Sequence, residues 1–458
     1  MNSMIFKGFL RTYRMEVLIF ILALATRLVL FSINLDFNNG DFIQTIRGQD
    51  GYYEISKNLI EGNGFTFDKD LKPDPLRPPV WPYTMALIAW VFNSYIPVFI
   101  FEVIIASLIP ILGMRLARRI ITPKLSTIVG FLLAIEPYGV FLSILTITET
   151  PFTFLFLLSI LFLFRYLEQQ TARNIVWSGI FLGLAIMIKP TIQFFPVLVP
   201  IALYLWFRKS RPENFFKHLF AYVLISVAII APWVCRNYVV FNGFGLSAQP
   251  AFNLYFVLAP SVLSLENGTN FATEYEAFTS PDDEVTLTNS SEYIQKALTV
   301  FKEHKFAFIK SLGVSIVTFF THDGMLTLMS YSGIGVPNLL DKPALVLLVT
   351  EPQELFSLIL FYLRSPAVAI LIVRLLWIAI TALALFGVAR YLFREKLTPF
   401  VLGATLIIAY FALLTTVNGL GMNARFRVPV NAFIFTFAVY GFVAIHAKIQ
   451  AKLVTRHA

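Results

Sequence analysis

Long apolar runs constrain this chain more than any other feature. Glu16 to Leu35 and Phe152 to Leu167 carry few charges, and comparable stretches recur along the sequence. A run of about 18 or more such residues crosses the hydrocarbon of a bilayer as a helix. Composition agrees. The chain has 458 residues, 57% hydrophobic and only 14% charged, against about 25% charged in soluble domains. An ordinary water-soluble enzyme is excluded, and so is a disordered or fibrous protein. The sequence predicts an all-α integral membrane protein, multi-pass in a cell membrane, with one or two sizeable loops and no separate soluble domain.

The formal charge of +9 does not point to nucleic acid, because no basic block with interleaved aromatics occurs. Basic residues sit instead in short loops and at helix ends, which is how topology is encoded. The single cysteine, Cys235, excludes an internal disulfide and any CxxC site. Five histidines without metal-like spacing give no zinc site. Met1 to Arg14 is basic, and the apolar segment after it is too long for a signal peptide, so it reads as a retained first span.

Basic clusters place the cytoplasmic side at Lys7/Arg11/Arg14, Arg115/Arg118/Arg119/Lys124, Arg165/Arg173, Arg208/Lys209/Arg211, Arg390/Arg394/Lys396 and Lys448/Lys452/Arg456. Two long loops have the opposite character. Asp36 to Pro79 is acidic on balance, and Asn237 to Val300 holds seven acidic residues against Lys296 alone. Both are expected outside, with the two termini inside. Spans are predicted near 16–34, 97–115, 124–143, 149–166, 174–188, 190–207 and 217–235, then near 367–391, 398–417 and 428–447. Segments near 303–321 and 345–363 either both cross or both stay outside, giving ten or twelve transmembrane helices. Trp81 to Phe92 is left over as a short helix at the outer interface. Three regions result: 1–236 with its outer loop 35–80, a second outer loop 237–302, and a C-terminal module 303–458.

Ionisable residues are costly within hydrocarbon and mark a partner, a site or a cavity. The informative ones converge at the outer edge. Asp50 opens GQDGYYEISKNLIEGNGF, whose Tyr52, Ile55 and Leu59 share one face of a short amphipathic helix. There a carboxylate is either a cap on free N–H groups or a catalytic group. Arg77 opens RPPVWPY, a rigid turn back into the membrane. Glu149 lies in TITETPF at the start of a span, and Lys189 with Pro190 at a hinge between two spans. Arg236, followed by Asn237, ends the seventh span, and Arg425 and Arg427 occupy NARFRVPV. One such cation alone is a snorkelling side chain. Several on the face that is normally poor in Lys and Arg need an anion to hold, and a lipid-linked phosphate supplies one. Arg27 and Arg374, inside apolar spans, pair with Glu16, Glu136 or backbone carbonyls, or reach into that cavity. Glu136-Pro137 marks a helix kink, and His322-Asp323 is expected to play a turn role.

These motifs resemble the polytopic glycosyltransferases of the GT-C fold, in the branch of protein O-mannosyltransferases and lipid A aminoarabinose transferases. The resemblance rests on DGYYEISKNLI with RPPVWPY, TITETPF, IKP, PWVCRNYVVFNGF followed by AFNLY, and ARFRVPVNAF with AVYGF. It implies a GT-C type helical bundle with amphipathic juxtamembrane helices on the outer face. It also implies an acidic residue in the first outer loop that acts as general base or orients the acceptor, at the position of Asp50. Relatives often carry a second acid directly after it, where this chain has Gly51. Glu149 falls where similar proteins hold a further acid, and Arg77 where they hold a phosphate contact.

The expected function is an inverting glycosyltransferase. It moves a sugar from a polyprenyl-phosphate donor to an acceptor on the extracytoplasmic side. Asp50 and Glu149 are its catalytic candidates. Tyr53, Arg77, Lys189, Arg236, Asn237, Arg425 and Arg427 are its candidate contacts to the lipid phosphate or the sugar. No cofactor or metal is called for by these residues. The rivals are a flippase or transporter of polyprenyl-linked lipid or oligosaccharide, and an oligosaccharide ligase or polymerase. Transporters tend to place their sites near the midplane between repeats, and ligases tend to use a large later loop.

Overall fold

The computed structural model describes residues 13–67, 72–335, 344–395, 397–420 and 423–457. Of the basic residues used for topology, Lys7, Arg11 and Lys396 lie outside them. The described chain is helical throughout, with one isolated bridge between Thr66 and Pro73 in the first loop. Seven of its helices are long and apolar enough to cross a membrane: Arg14–Phe37, Ile96–Ala117, Glu149–Gln169, Phe215–Phe241, Val368–Arg394, Pro399–Asn418 and Ala424–Ala451. The expected all-α membrane architecture is therefore present.

Three of the ten crossings expected at minimum are shorter apolar helices, Pro123–Ile135, Ala172–Ile186 and Pro190–Trp206. For the first of them the shortness has a local cause. Pro123–Ile135 has 13 residues, about 20 Å of rise against about 30 Å of hydrocarbon. It stops because Glu136 turns to extended backbone and Pro137 starts a new helix, Pro137–Leu142. The Glu136 carboxylate caps that new helix, accepting from the N–H groups of Tyr138 and Gly139. The kink read at Glu136-Pro137 is thus a complete break. Where the crossing count was open, Lys305–Thr321 and Met325–Tyr331 meet at a 65° bend.

The principal core gathers Phe152, Phe156 and Phe164 of one helix with Leu182 and Ile186, Phe411, and Phe433 to Phe437. Several charges inside this apolar body are paired or donate to backbone. Arg27 donates to the carbonyls of Ala23 and Ala134, Glu16 pairs with Arg118 at 3.0 Å, and Arg374 pairs with Asp323. The short helix Val80–Phe92 packs on Tyr52–Glu61 and Ile96–Ala117. The two long loops meet each other where the Ala248 N–H donates to the Pro75 carbonyl at 2.9 Å and the Ser247 hydroxyl donates to that of Leu76.

Candidate functional site

Three backbone anchors bring distant loop segments to one end of the bundle. Buried Thr146 donates its N–H and its hydroxyl to the Ile46 carbonyl, at 2.7 and 3.0 Å, and its hydroxyl also to that of Arg47 at 3.1 Å. This fixes the approach to Asp50 beside the approach to Glu149. The Arg77 Nε donates to the Asp50 carbonyl at 2.5 Å, while Asp74 accepts from the Arg77 N–H and side chain. The Val80 N–H donates to the Met187 carbonyl at 3.1 Å, seating RPPVWPY against the hinge at Lys189.

Asp50 does not cap the helix that follows it. Tyr52–Glu61 begins at Gly51, whose φ is +76°, with no side-chain cap bond. A Cβ at Gly51 would stand 2.5 Å from the Phe67 ring and 3.2 Å from the Arg77 guanidinium. Position 51 thus needs glycine both for its left-handed backbone and for space, and an acid there has no room.

The Asp50 carboxylate turns to Arg425 instead. Arg425 Nη1 donates to Asp50 Oδ1 at 3.1 Å, and Nη2 donates to Oδ2. The same guanidinium donates from Nε to Glu149 Oε1 at 2.5 Å and from Nη2 to Oε2 at 2.9 Å. Glu149 is 1% exposed and takes a second cation, the Lys189 ammonium, at 2.6 Å. Two carboxylates therefore meet two cations, and the cluster is neutral. Buried charges require such pairing with hydrogen bonds. Burial pulls the Lys189 ammonium below the ordinary lysine range, opposed by Glu149. The Tyr52 hydroxyl is pushed up by burial and by the Asp50 carboxylate.

Asp50, Arg77, Lys189 and Arg425 line one cavity of about 500 Å³, within the usual range for small-molecule sites. Phe194, Phe252, Leu254, Phe411 and Leu414 make its apolar wall. A smaller pocket of about 320 Å³ shares Gln49 with it and is lined also by Arg47, Gly51, Glu54, Phe67 and Tyr331. Among the described residues no cluster of three or more His, Cys, Asp or Glu side chains is placed to hold a metal ion.

Four predicted residues sit elsewhere. Tyr53 packs against Tyr95, ring centroids 4.8 Å apart, and its neighbour Tyr52 lines the cavity instead. Arg236 lies over the rings of Trp233, Phe241 and Phe65 and donates to Asn237. Asn237 in turn donates to the carbonyls of Gly245 and Leu246, closing the turn after its helix. Arg427 is 1% exposed, lies 3.4 Å from the Trp377 ring centroid and donates to the carbonyls of Phe319 and His322 at 2.8 and 2.7 Å. It satisfies the open end of Lys305–Thr321 and anchors the short helix Asn423–Arg427, which presents Arg425.

Other cavity residues escaped sequence reasoning: Tyr52, Gln249, Asn253, Asn418, and Phe426 beneath the Lys189 ammonium at 4.9 Å. Asn253 lies in AFNLY, a quoted motif, and its polar residue among apolar ones was a usable signal. Glu102, fully buried within Ile96–Ala117, has no partner for either carboxylate oxygen among the described residues.

Residues 76–235 match the model of a family described as dolichyl-phosphate-mannose-protein mannosyltransferase. The resemblance to GT-C glycosyltransferases is therefore carried by a family match over that stretch. It includes Arg77, Glu149 and Lys189 and leaves Asp50 and Arg425 outside. No curated protein sequence matches the chain. Among solved structures it is similar to the oligosaccharyltransferase of Archaeoglobus fulgidus in the apo form, with a TM-score of 0.49 and 13% identity over 95% of this chain and 52% of that one. The oligosaccharyltransferase AglB from Archaeoglobus fulgidus in complex with an inhibitory peptide and a dolichol-phosphate gives 0.48 and 12%, over 95% and 51%. The chain spans about half the length of these structures.

Proposed function

We propose that this chain is an inverting glycosyltransferase that takes a sugar from a polyprenyl-phosphate donor and passes it to an acceptor on the extracytoplasmic side of the membrane. One observation carries the reading: Arg425 joins the two carboxylates Asp50 and Glu149 at the wall of a cavity that also holds Lys189 and Arg77. The family matched over residues 76–235 has a lipid-phosphate-linked sugar in its description, which supports the same donor class. The apolar wall of Phe194, Phe252 and Leu414 suits the first prenyl units. The excess of acid over base in the second loop supports the extracytoplasmic placement.

The chemistry follows from the charges. The cluster of Asp50, Glu149, Arg425 and Lys189 is neutral while Arg425 serves both acids. A donor phosphate draws Arg425 toward its oxygens, where a guanidinium makes paired contacts, and Asp50 is released as a free carboxylate. Asp50 then takes the proton of an acceptor hydroxyl or amine as it attacks the anomeric carbon. The carbon–oxygen bond to phosphate breaks with its electron pair, and polyprenyl phosphate leaves against Arg425, Lys189 and Arg77. Glu149 holds both cations in place. A single displacement inverts the anomeric centre. The smaller pocket beside Gln49 and Gly51 is the acceptor's approach.

The test is transfer in proteoliposomes from radiolabelled polyprenyl-phosphate sugars, with the anomeric configuration of the product determined. Inverted product supports the reading. Retained configuration, or transport of intact donor across the bilayer without transfer, contradicts it.

A further inference from the structure

Besides its charged residues, the cavity holds a chain of three primary amides. Gln249 Nε2 donates to Asn253 Oδ1 at 2.7 Å, and Asn253 Nδ2 donates to Asn418 Oδ1 at 3.0 Å. All three line the cavity that holds Asp50, Lys189 and Arg425, and all three are half-buried.

The backbone that presents them is unusual. Asn253 opens a π-helical turn, Asn253–Leu258, and such turns are rare and concentrate at functional sites. Asn418 closes the 3₁₀ turn Thr416–Asn418 at the end of a long apolar helix. Gly419 follows with φ +61°, and a Cβ there would lie 3.0 Å from the Val257 carbonyl and closer still to the Ser261 hydroxyl. The turn after Asn418 is therefore pressed onto the segment that begins at Asn253. Two elements 165 residues apart in sequence deliver their amides to one place.

A tie between loop and helix accounts for less than is there. The Leu420 N–H on Ser261 and the close seat of Gly419 already join the two elements. A primary amide offers two donors and an oxygen with two lone pairs. After the two bonds of the chain, the Gln249 oxygen, the Asn418 nitrogen and the second Asn253 N–H have no partner among the described residues. These groups are neutral, and they alternate donor and acceptor as sugar hydroxyls do. The cavity's charged groups, by contrast, serve in the proposed reaction as the base and as the ligands of the phosphate.

We infer that Gln249, Asn253 and Asn418 form the subsite for the sugar of the donor and select a neutral, hydroxyl-rich ring over an amino sugar or a uronic acid. The inference rests on the glycosyltransferase reading above and adds its substrate class. Gln249, Asn253 and Asn418 themselves offer no counter-charge, so they hold an ammonium or a carboxylate by dipoles alone. A site built to hydrogen-bond hydroxyls rejects ligands that leave its polar groups unpaired.

The experiment uses the full chain in proteoliposomes with polyprenyl-phosphate donors carrying a neutral hexose, an amino pentose or a hexuronic acid. Binding of sugar-free polyprenyl phosphate is measured alongside by tryptophan quenching. Wild type is expected to prefer the neutral donor. Asn253→Ala and Asn418→Ala are expected to lower its kcat/KM by about tenfold or more, the cost of an unmade hydrogen bond, with polyprenyl-phosphate binding unchanged. Asn253→Asp, nearly isosteric, is expected to raise the amino-sugar to neutral-sugar ratio, which a merely structural role does not do. If an alanine variant loses lipid-phosphate binding, Asn253→Asp and Gln249→Glu decide the case by that ratio. Preference of wild type for a charged sugar, or an unchanged ratio in the acidic variants, overturns the inference while leaving the glycosyltransferase reading intact. Failure of wild type to bind polyprenyl phosphate or to transfer any sugar overturns both.

Discussion

Arg425 grips both oxygens of the Asp50 carboxylate from 375 residues away in sequence, and the same guanidinium holds Glu149. The proposed base is therefore engaged by a guanidinium, a group suited to paired contacts with phosphate. In the proposed function the donor phosphate then has two roles, as leaving group and as the competitor that frees Asp50.

Removing Arg425 leaves two carboxylates without their common partner. Arg425→Ala is expected to cost about 3–5 kcal/mol of stability, as for other broken buried pairs, read as a lower thermal midpoint in detergent. Glu149→Gln in the same chain should restore part of it, since two acids then no longer share the single cation Lys189. Strict additivity of the two substitutions contradicts this coupling.

Gly51 sets the direction of Asp50. With φ +76° and Phe67 2.5 Å from a built Cβ, Gly51→Ala is expected to cost about 1–3 kcal/mol and to reduce transfer strongly in protein that still folds. Unaltered activity shows that the loop tolerates a different backbone there.

Arg427 is assigned a positioning role. It stacks on Trp377 and donates to two carbonyls, so Arg427→Met should lower kcat while polyprenyl-phosphate affinity stays near that of wild type. A phosphate ligand gives the reverse pattern, with donor KM rising and kcat little changed.

The second loop carries an acid-sensitive clasp. Burial acts to raise the Asp283 carboxyl, but hydrogen bonds from the Ser280 N–H and the hydroxyls of Tyr255 and Tyr293 outweigh it and hold the group below its ordinary range. A carboxylate depressed on folding stabilises fully above its unfolded pKa, and that contribution fades as pH falls through the folded value. Hydrogen exchange over Tyr255 to Tyr293 should therefore accelerate below about pH 4, where an unperturbed aspartate protonates. In Asp283→Asn this acid step should disappear.

Much of this was legible in the sequence. Apolar run length marked the long helices, and Glu136-Pro137 marked a helix break through backbone rules alone. Asp50, Arg77, Glu149, Lys189 and Arg425 were singled out because charge is costly at a membrane edge, and the structure brings them together. The remainder turns on quantities that a sequence does not carry. Tyr52 was legible as sharing a face with Ile55 and Leu59, but that this face brings Tyr52 to the cavity depends on how the helix docks. Arg427 shares its motif with Arg425, but an arginine reads the same whether it faces a cavity or lies on Trp377. Gln249, Asn253 and Asn418 are uncharged and far apart in the chain, and only the fold joins them.

The most direct measurement compares wild type with Asp50→Asn in proteoliposomes supplied with labelled polyprenyl-phosphate sugar. The amide keeps the shape and a contact to Arg425 while removing the base. Transfer should fall by about 10²–10⁴-fold, the usual contribution of general base catalysis, with donor binding retained. Equal transfer by the two proteins contradicts the assignment of Asp50 as base and, with it, the account of Arg425 as the residue that holds and releases it.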